Sequence, residues 1–332
     1  MQNKLKKLPQ KYDLSIENDA RLLFNGEKSG HLNHLMYGTP EFAGDNVQGS
    51  GYWVRIRQSK EYYIRQEDDQ LLMSAVIKDF IEQQVEFKNL IDLGPGDATA
   101  VYTKTVPLLR AVNAKRYVAV DLDANYARDS ALLVETLSNV EGDYLVNDFI
   151  NEKLPIKDGS SIVFLGGGTI GNIPVDLRIK DAGMYLAHVF SSLKRSLKKK
   201  DQILIGFDAN QDEAMLREAY CGELNARAVK DILFRIERDT RFNFDPNSFA
   251  LHAEWIAAEY RFAHYLMAQE DVEITGPEQE CFQFKKGHKL HVQNSYKFPP
   301  EMMSKAAENA GWKTKKIWTE TGRVHYMLFE AV

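Results

Sequence analysis

The sequence predicts an α/β fold, an open doubly wound sheet accompanied by a second, discontinuous domain. Three observations predict it. Short apolar runs alternate with helical segments between residues 89 and 209, a glycine turn follows the first run, and the chain closes on two alternating stretches. Alternating strand and helix is the βαβ pattern of a largely parallel sheet. The closing pair reads as a terminal antiparallel hairpin.

The strands are justified in order. Residues 89–93 (Asn-Leu-Ile-Asp-Leu) form the first apolar run, 117–121 the second, 144–146 the third and weakest, 161–165 the fourth and 202–206 the fifth. Runs of this length rich in Val, Ile and Leu suit buried parallel strands. Residues 98–112, 125–138 and 178–197 are long enough for crossover helices, and residues 314–318 and 324–330 make the hairpin. The basic run 194–200 follows an apolar helical pattern, and cations there complement a helix C-terminus. The flanks differ: 1–80 is polar and aromatic with a loop-like stretch at 38–51, 211–237 reads as helical, and 252–274 and 289–298 alternate. The start, residues 1–7, reads as a basic tail.

Composition bounds the function. The 332 residues are 44% hydrophobic, 27% charged and 11% aromatic, which is globular and ample for a core. The 42 basic and 47 acidic residues give a net charge of −5, no basic excess of the kind nucleic acid requires. Cys221 and Cys281 make neither a metal spacing nor a disulfide framework, so both are expected to be reduced thiols. Neither a secretory leader nor a transmembrane helix is expected. A soluble, cytoplasmic protein that binds neither nucleic acid nor membrane is expected; its oligomeric state is left open.

The chemistry begins at Asp92-Leu-Gly94-Pro-Gly96-Asp97. Two glycines allow a tight turn with close backbone approach to a ligand. Position 99 is Thr, so the third glycine of the dinucleotide fingerprint is missing. Pro95 removes an amide donor, and Asp97 would repel phosphate, so a positively charged cofactor fits better. Asp121 closes the second strand, where a carboxylate can accept both hydroxyls of a ribose. Asp148, followed by Phe149, closes the third, where the pair could bond an adenine amino group and cover its ring.

Gly94 and Gly96, Asp121 and Asp148, each closing a successive strand, resemble the binding site of class I S-adenosylmethionine (SAM)-dependent methyltransferases, a Rossmann-like fold. Further residues narrow the resemblance. Phe164-Leu-Gly-Gly-Gly-Thr-Ile-Gly-Asn172 is followed by Ala219-Tyr220, Asn225, Phe242-Asn-Phe-Asp-Pro246, His252-Ala-Glu-Trp255, Asn294-Ser-Tyr-Lys-Phe298 and Trp318-Thr319. From about residue 60 onward, this order is similar to the histidine-specific Nα-methyltransferase family of the ergothioneine-biosynthesis type. The resemblance implies that Asn172 and Tyr220 hold the α-amino and α-carboxylate groups of an amino-acid substrate. It implies that Tyr62 closes over the site and that Ser295 bonds substrate polar atoms. Residues 80–209 plus 300–332 would form the SAM-binding domain, and 1–79 plus 210–299 the substrate-recognition domain.

Two departures bear on the substrate. Gln293 stands where the histidine enzymes carry an acid, and His264 where they carry a methionine; one glycine is extra in the 166–168 run. The amine-and-carboxylate handle is kept while histidine-type selectivity is put in question. The expected activity is N-methylation, in one or more rounds, of the α-amine of a small amino acid or amino-acid-derived metabolite. The alternatives are a histidine Nα-methyltransferase proper and a non-catalytic SAM-binding module. Blander roles stand beside these: His264 as a strand histidine, Tyr220 and Tyr62 as packing, and Asn172 as the cap of a helix near 174–175. His252 and Glu254 lack a third ligand, so no metal is expected.

Overall fold

The computed structural model describes residues 14–27, 50–154, 156, 158–173 and 181–332. Helix α1 (Leu14–Phe24) and helix α2 (Ser50–Gln58) come first. Helix α3 begins at Tyr63–Leu71, widens at Leu72–Ile77 and ends at Lys78–Glu82. Strand β1 (Asn89–Leu93) leads to helix α4, which starts at Ala98–Ala100, widens at Val101–Thr105 and ends at Val106–Ala111. Then come β2 (Arg116–Asp121), α5 (Ala124–Ser138), β3 (Glu141–Val146), β4 (Ser161–Leu165), α6 (Ala182–Lys194) and β5 (Gln202–Asp208).

After β5 follow α7 (Glu213–Tyr220), α8 (Glu223–Asp239), β6 (Phe249–Ile256), β7 (Arg261–Ala268), β8 (Val272–Thr275), β9 (Cys281–Phe284) and β10 (Lys289–Tyr296). Helix α9 (Pro300–Asn309) and the hairpin β11 (Trp312–Trp318) and β12 (Val324–Ala331) close the chain.

The main sheet has seven strands in the order β11-β12-β5-β4-β1-β2-β3. Strands β1 to β5 pair in parallel, and β12 returns antiparallel to β5. The order reverses between β1 and β4, which opens a crevice at the carboxyl ends of those strands. β1 and β4 are buried throughout, as their unbroken apolar runs require, whereas the edge strand β3 exposes Tyr144 and Val146. One core lies on each face of this sheet. A third lies beneath β6, β7, β10 and the β8–β9 hairpin, packed by α1 and α8.

The predicted helix at 211–237 is two helices. Asp212 caps α7 by accepting from the Ala214 and Met215 amides, and extended Gly222 precedes α8. The break leaves Tyr220 as the last residue of α7. The basic run ends α6 as expected, with Lys198 paired to Asp158 at 2.7 Å. The tail at 1–7 and the helix start near 174–175 lie outside the described residues; of the 38–51 stretch, only Ser50 and Gly51 are described, and they begin α2. No helix among the described residues is long and apolar enough to cross a membrane.

Candidate active site

The first half of the site is the carboxyl edge of β1, β2 and β3. Gly94 and Gly96 adopt φ of +70° and +78°, a region that penalises any side chain. The Gly94 amide donates to the Val120 carbonyl at 2.8 Å, which docks the turn against the end of β2. Asp121 accepts from the Asp123 amide at 2.9 Å, and burial pushes its carboxyl up to about 6. The Asn147 amide donates to the Asp121 carbonyl at 3.1 Å, which sets Asp148 beside it. Asp148 accepts from the amides of Ile150 (3.0 Å) and Asn151 (3.2 Å), folding the turn that carries half-buried Phe149.

One expectation needs adjustment here. Asp97 does not stand as a bare repelling charge. It caps α4 through the Ala100 amide at 2.8 Å and lies 3.7 Å from the Arg57 guanidinium. The acid that lines the cavity over the turn is Asp92, buried, which accepts from Thr105 Oγ1 at 2.6 Å and Tyr117 Oη at 3.2 Å. Desolvation raises its carboxyl to about 6.

A cavity of about 80 Å³ sits over the glycine turn, walled by Trp53, Arg57, Tyr62, Asp92, Lys104 and Phe164. In its wall buried Lys104 is ion-paired with buried Asp68 and lies 3.3 Å from partly exposed Asp69. The donor set suits SAM. Left-handed glycines let the ligand approach the backbone, a carboxylate closes the strand that would face a ribose, and the acids favour a sulfonium over a phosphate.

The second half gathers residues far apart in sequence. Asn172 follows the turn Thr169–Gly171. A Cβ on Gly171 would meet the Tyr296 carbonyl oxygen at 2.7 Å, so only glycine lets this loop touch β10. Tyr185 locks the loop from below: its hydroxyl accepts from the Ile173 amide at 2.9 Å and donates to the Ile170 carbonyl at 2.6 Å. With its amide set to satisfy its neighbours, Asn172 Nδ2 donates to the carbonyls of Gly171 (3.2 Å) and Asn294 (3.1 Å). Oδ1 is then the acceptor end of that side chain.

Tyr220, at the end of α7, meets the sheet at Phe262 and His264, with ring centroids 5.4 and 5.8 Å away. Tyr62, at the start of α3, stands edge-on to Tyr220 at 5.9 Å and is buried. β10 carries an irregularity between His291 and Gln293, after which Gln293 pairs with His264 and Ser295 with Phe262. That extra residue brings Gln293, Ser295 and Lys297 onto one face, and bulges commonly re-aim side chains beside active sites. Ser295 Oγ lies 3.2 Å from Tyr220 Oη. His264 is buried, its Nδ1 has no partner, and desolvation together with the field of His291 and Lys297 lowers its pKa to about 3. It is neutral at physiological pH.

Every sequence-predicted residue therefore falls into one of two groups. Gly94, Gly96, Asp121, Asp148 and Phe149 line up on adjacent strand ends. Tyr62, Asn172, Tyr220, His264, Gln293 and Ser295 converge around β10. Sequence reasoning missed Lys104, Asp68, Lys297, Asp208 and Tyr63. Lys297 Nζ lies 2.8 Å from Tyr220 Oη and 3.0 Å from Asp208 Oδ2, and Tyr63 Oη donates to the same carboxylate oxygen at 2.8 Å. The two-residue spacing of Gln293, Ser295 and Lys297 was the available signal for Lys297.

Known proteins of similar sequence identify the family. A family model described as "Histidine-specific methyltransferase, SAM-dependent" matches residues 42–331. A histidine N-alpha-methyltransferase of Mycobacterium tuberculosis is 25% identical over 286 residues, 85% of this chain and 86% of that one. The N-methyltransferase imqF of Aspergillus flavus is 26% identical over 293 residues, 83% of this chain and 76% of that one. A solved SAM-dependent methyltransferase of Clostridium acetobutylicum aligns with a TM-score of 0.47 at 12% identity, over 84% of this chain and 98% of that one. With a match across most of its length and a cofactor edge of the matching chemistry, the chain belongs to the histidine-specific, SAM-dependent methyltransferase family.

Proposed function

We propose that the enzyme is an N-methyltransferase acting on the α-amine of a small amino acid or amino-acid-derived metabolite. The observation that carries this reading is the place of Tyr62. It lines the cavity over Gly94 and Gly96, and its ring also meets Tyr220 in the second cluster. An amine held by that cluster would thus lie next to the cofactor edge.

SAM, when bound, supplies a methyl group already activated on a sulfonium. The chain's own task is then orientation. Asn172 Oδ1 accepts an N–H of the amine and aims its lone pair, while Tyr220 and Ser295 engage the other end of the substrate. A protonated amine has no lone pair, so neutral partners serve better here than a carboxylate that would hold the proton. Tyr62 and Trp53 pack edge to face at 5.4 Å in the wall of this space.

We assign residues 80–209 plus 300–332 chiefly to the cofactor and 1–79 plus 210–299 to the substrate, with Trp53, Arg57 and Asp68 reaching across to the glycine-turn cavity. Gln293 and neutral His264 give the side-chain end of the pocket two uncharged groups. An uncharged side chain that donates to His264 Nδ1 matches them better than an imidazolium does. Histidine itself is the second reading, favoured by the M. tuberculosis relative. Exposed, unbridged Cys221 and Cys281 fit a reducing, cytoplasmic setting, and a small molecule is the partner we assign.

The test is turnover of free amino acids with SAM by wild type and Gln293→Glu. We expect an amino acid other than histidine to be preferred, and the substitution to raise turnover of histidine. Histidine preferred above all others by wild type would contradict the assignment of Gln293 and His264.

A further inference from the structure

We propose that Arg57 couples the cofactor to the substrate side of the enzyme: it takes the carboxylate of the cofactor's amino-acid tail and, through helix α2, sets the Trp53–Tyr62 wall. The coupling concerns the cofactor alone and holds for any amine substrate.

SAM ends in an α-ammonium and an α-carboxylate, and S-adenosylhomocysteine shares that tail. The base and ribose are assigned to the ends of β3 and β2, and β1 is the next strand inward. The tail therefore falls over the glycine turn, in the cavity of about 80 Å³. Three cations line that cavity: Arg57, Arg65 and Lys104. Lys104 is paired with Asp68 and lies 3.3 Å from Asp69. Arg65 lies 3.6 Å from Asp69 and donates to the Arg57 carbonyl at 3.5 Å. Arg57 is held more loosely. Its side chain is 14% exposed, and the carboxylate it meets among the described residues, Asp97 Oδ1, is 3.7 Å away. That same oxygen already accepts from the Ala100 amide at 2.8 Å. A guanidinium has five N–H donors in a planar fork, enough to bridge two carboxylates. It also comes close to the turn: a Cβ on Gly96 would lie 3.9 Å from Arg57 Nη1. Of the three cations, Arg57 is the one with donors left for an anion over the turn.

Helix α2 links this cation to the amine site. Tyr52 and Ile56 of α2 are buried in the core, which holds the helix in place. Trp53 and Arg57 are four positions apart and so share a helix face, and both line the cavity. Trp53 packs edge-on against Tyr62 at 5.4 Å, and Tyr62 against Tyr220 at 5.9 Å. An anion held by Arg57 therefore fixes the helix whose preceding turn supports Tyr62. A ligand without the carboxylate fills the base and ribose positions and leaves α2 untied.

The test uses three ligands: S-adenosylhomocysteine, its decarboxylated analogue, and methylthioadenosine, which lacks the whole tail. Calorimetry reads affinity, and hydrogen exchange reads the amides of Ser50–Gln58. Wild type should bind S-adenosylhomocysteine at least about tenfold more tightly than the decarboxylated analogue, as one charged bidentate contact requires. In Arg57→Met that preference should fall to within about twofold while methylthioadenosine affinity holds, since the ratio cancels losses that are merely structural. At saturation, S-adenosylhomocysteine should slow exchange across Ser50–Gln58 at least about tenfold more than the decarboxylated analogue does, and Arg57→Met should lose that difference. Arg57→Lys keeps the charge without the fork and is made alongside, with methylthioadenosine binding as the check on folding; its preference should lie between those of wild type and Arg57→Met. A wild-type preference that survives intact in a variant binding methylthioadenosine would overturn the proposal. So would equal protection of Ser50–Gln58 by the two tailed ligands, which would leave the N-methyltransferase reading standing. A wild type that binds none of the three would remove the cofactor site and this coupling with it.

Discussion

The cofactor edge and the substrate cluster each bury a lysine beside an aspartate, and the two pairs are built differently. Lys104 faces two carboxylates of helix α3, Asp68 and Asp69, so its charge is met by charge alone. Lys297 faces one carboxylate and two hydroxyls. The first pair works as a strut, tying α3 to the helix that leaves the glycine turn. The second hands part of its polarity to groups that a ligand could touch. Burying an ion pair gains little stability over a well-packed apolar pair, so the chemistry around each pair says more about its use than the pair itself. The surroundings differ in the same sense. The edge is rich in carboxylates, apt for a sulfonium, and the cluster is hydroxyl-rich around one ammonium.

Asp68→Ala would break the strut most severely. Lys104 would stay buried without its main partner, and a loss of about 3–5 kcal/mol is expected, read by denaturant unfolding. Asp68→Ala with stability unchanged would remove the strut from the account. Asn172→Ala probes the other region. Turnover should fall at least about 100-fold, roughly 2.7 kcal/mol of transition-state positioning, while S-adenosylhomocysteine affinity holds. Loss of cofactor affinity instead would move Asn172 to the cofactor edge.

Asp121→Asn sharpens the edge through pH. The Asp121 carboxyl sits near 6 in the fold against an ordinary value of 3.8, raised chiefly by burial. A raised pKa means its contribution to stability is full below about 4 and is lost as pH rises through about 6. Asp121→Asn escapes that loss, so it should be more stable than wild type at pH 8 by about 1–3 kcal/mol and no more stable at pH 4. Calorimetric melting at the two pH values checks it. Cofactor affinity should respond oppositely. Wild type should bind S-adenosylhomocysteine more weakly as pH falls below about 6, where the acceptor is protonated, and the Asn variant should bind weakly with a flatter profile. The smallest effect is expected away from both regions. The exposed Arg217–Glu213 pair on α7 is 2.7 Å apart, and Arg217→Ala should cost only about 0.3–0.5 kcal/mol.

The two regions also differed in how far the sequence revealed them. The edge was legible because its residues close consecutive strands and because Gly94 and Gly96 are demanded by backbone conformation, a local cause with a local signature. The cluster was legible only through resemblance. Its members are set by pairings between distant segments: Lys297 meets Tyr220 across 77 positions, and Lys104 meets Asp68 across 36. No periodicity reports such a meeting. The irregularity at His291 and Gln293 shows why. One extra residue decides which face of β10 carries Gln293 and Ser295, with Lys297 just beyond the strand, and nothing in the alternation announces it. The break of the 211–237 helix at Gly222 is similar, since tertiary packing of Tyr220 against Phe262 fixes where α7 ends.

The central claim is that the methyl group goes to the α-nitrogen of an amino acid. The most direct measurement incubates the wild-type enzyme with methyl-labelled SAM and the protein amino acids, then locates the label in each product by fragmentation. Label on the α-nitrogen of at least one amino acid is the result this account predicts. Label only on a side-chain nitrogen, an oxygen or a sulfur, from an enzyme that binds S-adenosylhomocysteine normally, would contradict it.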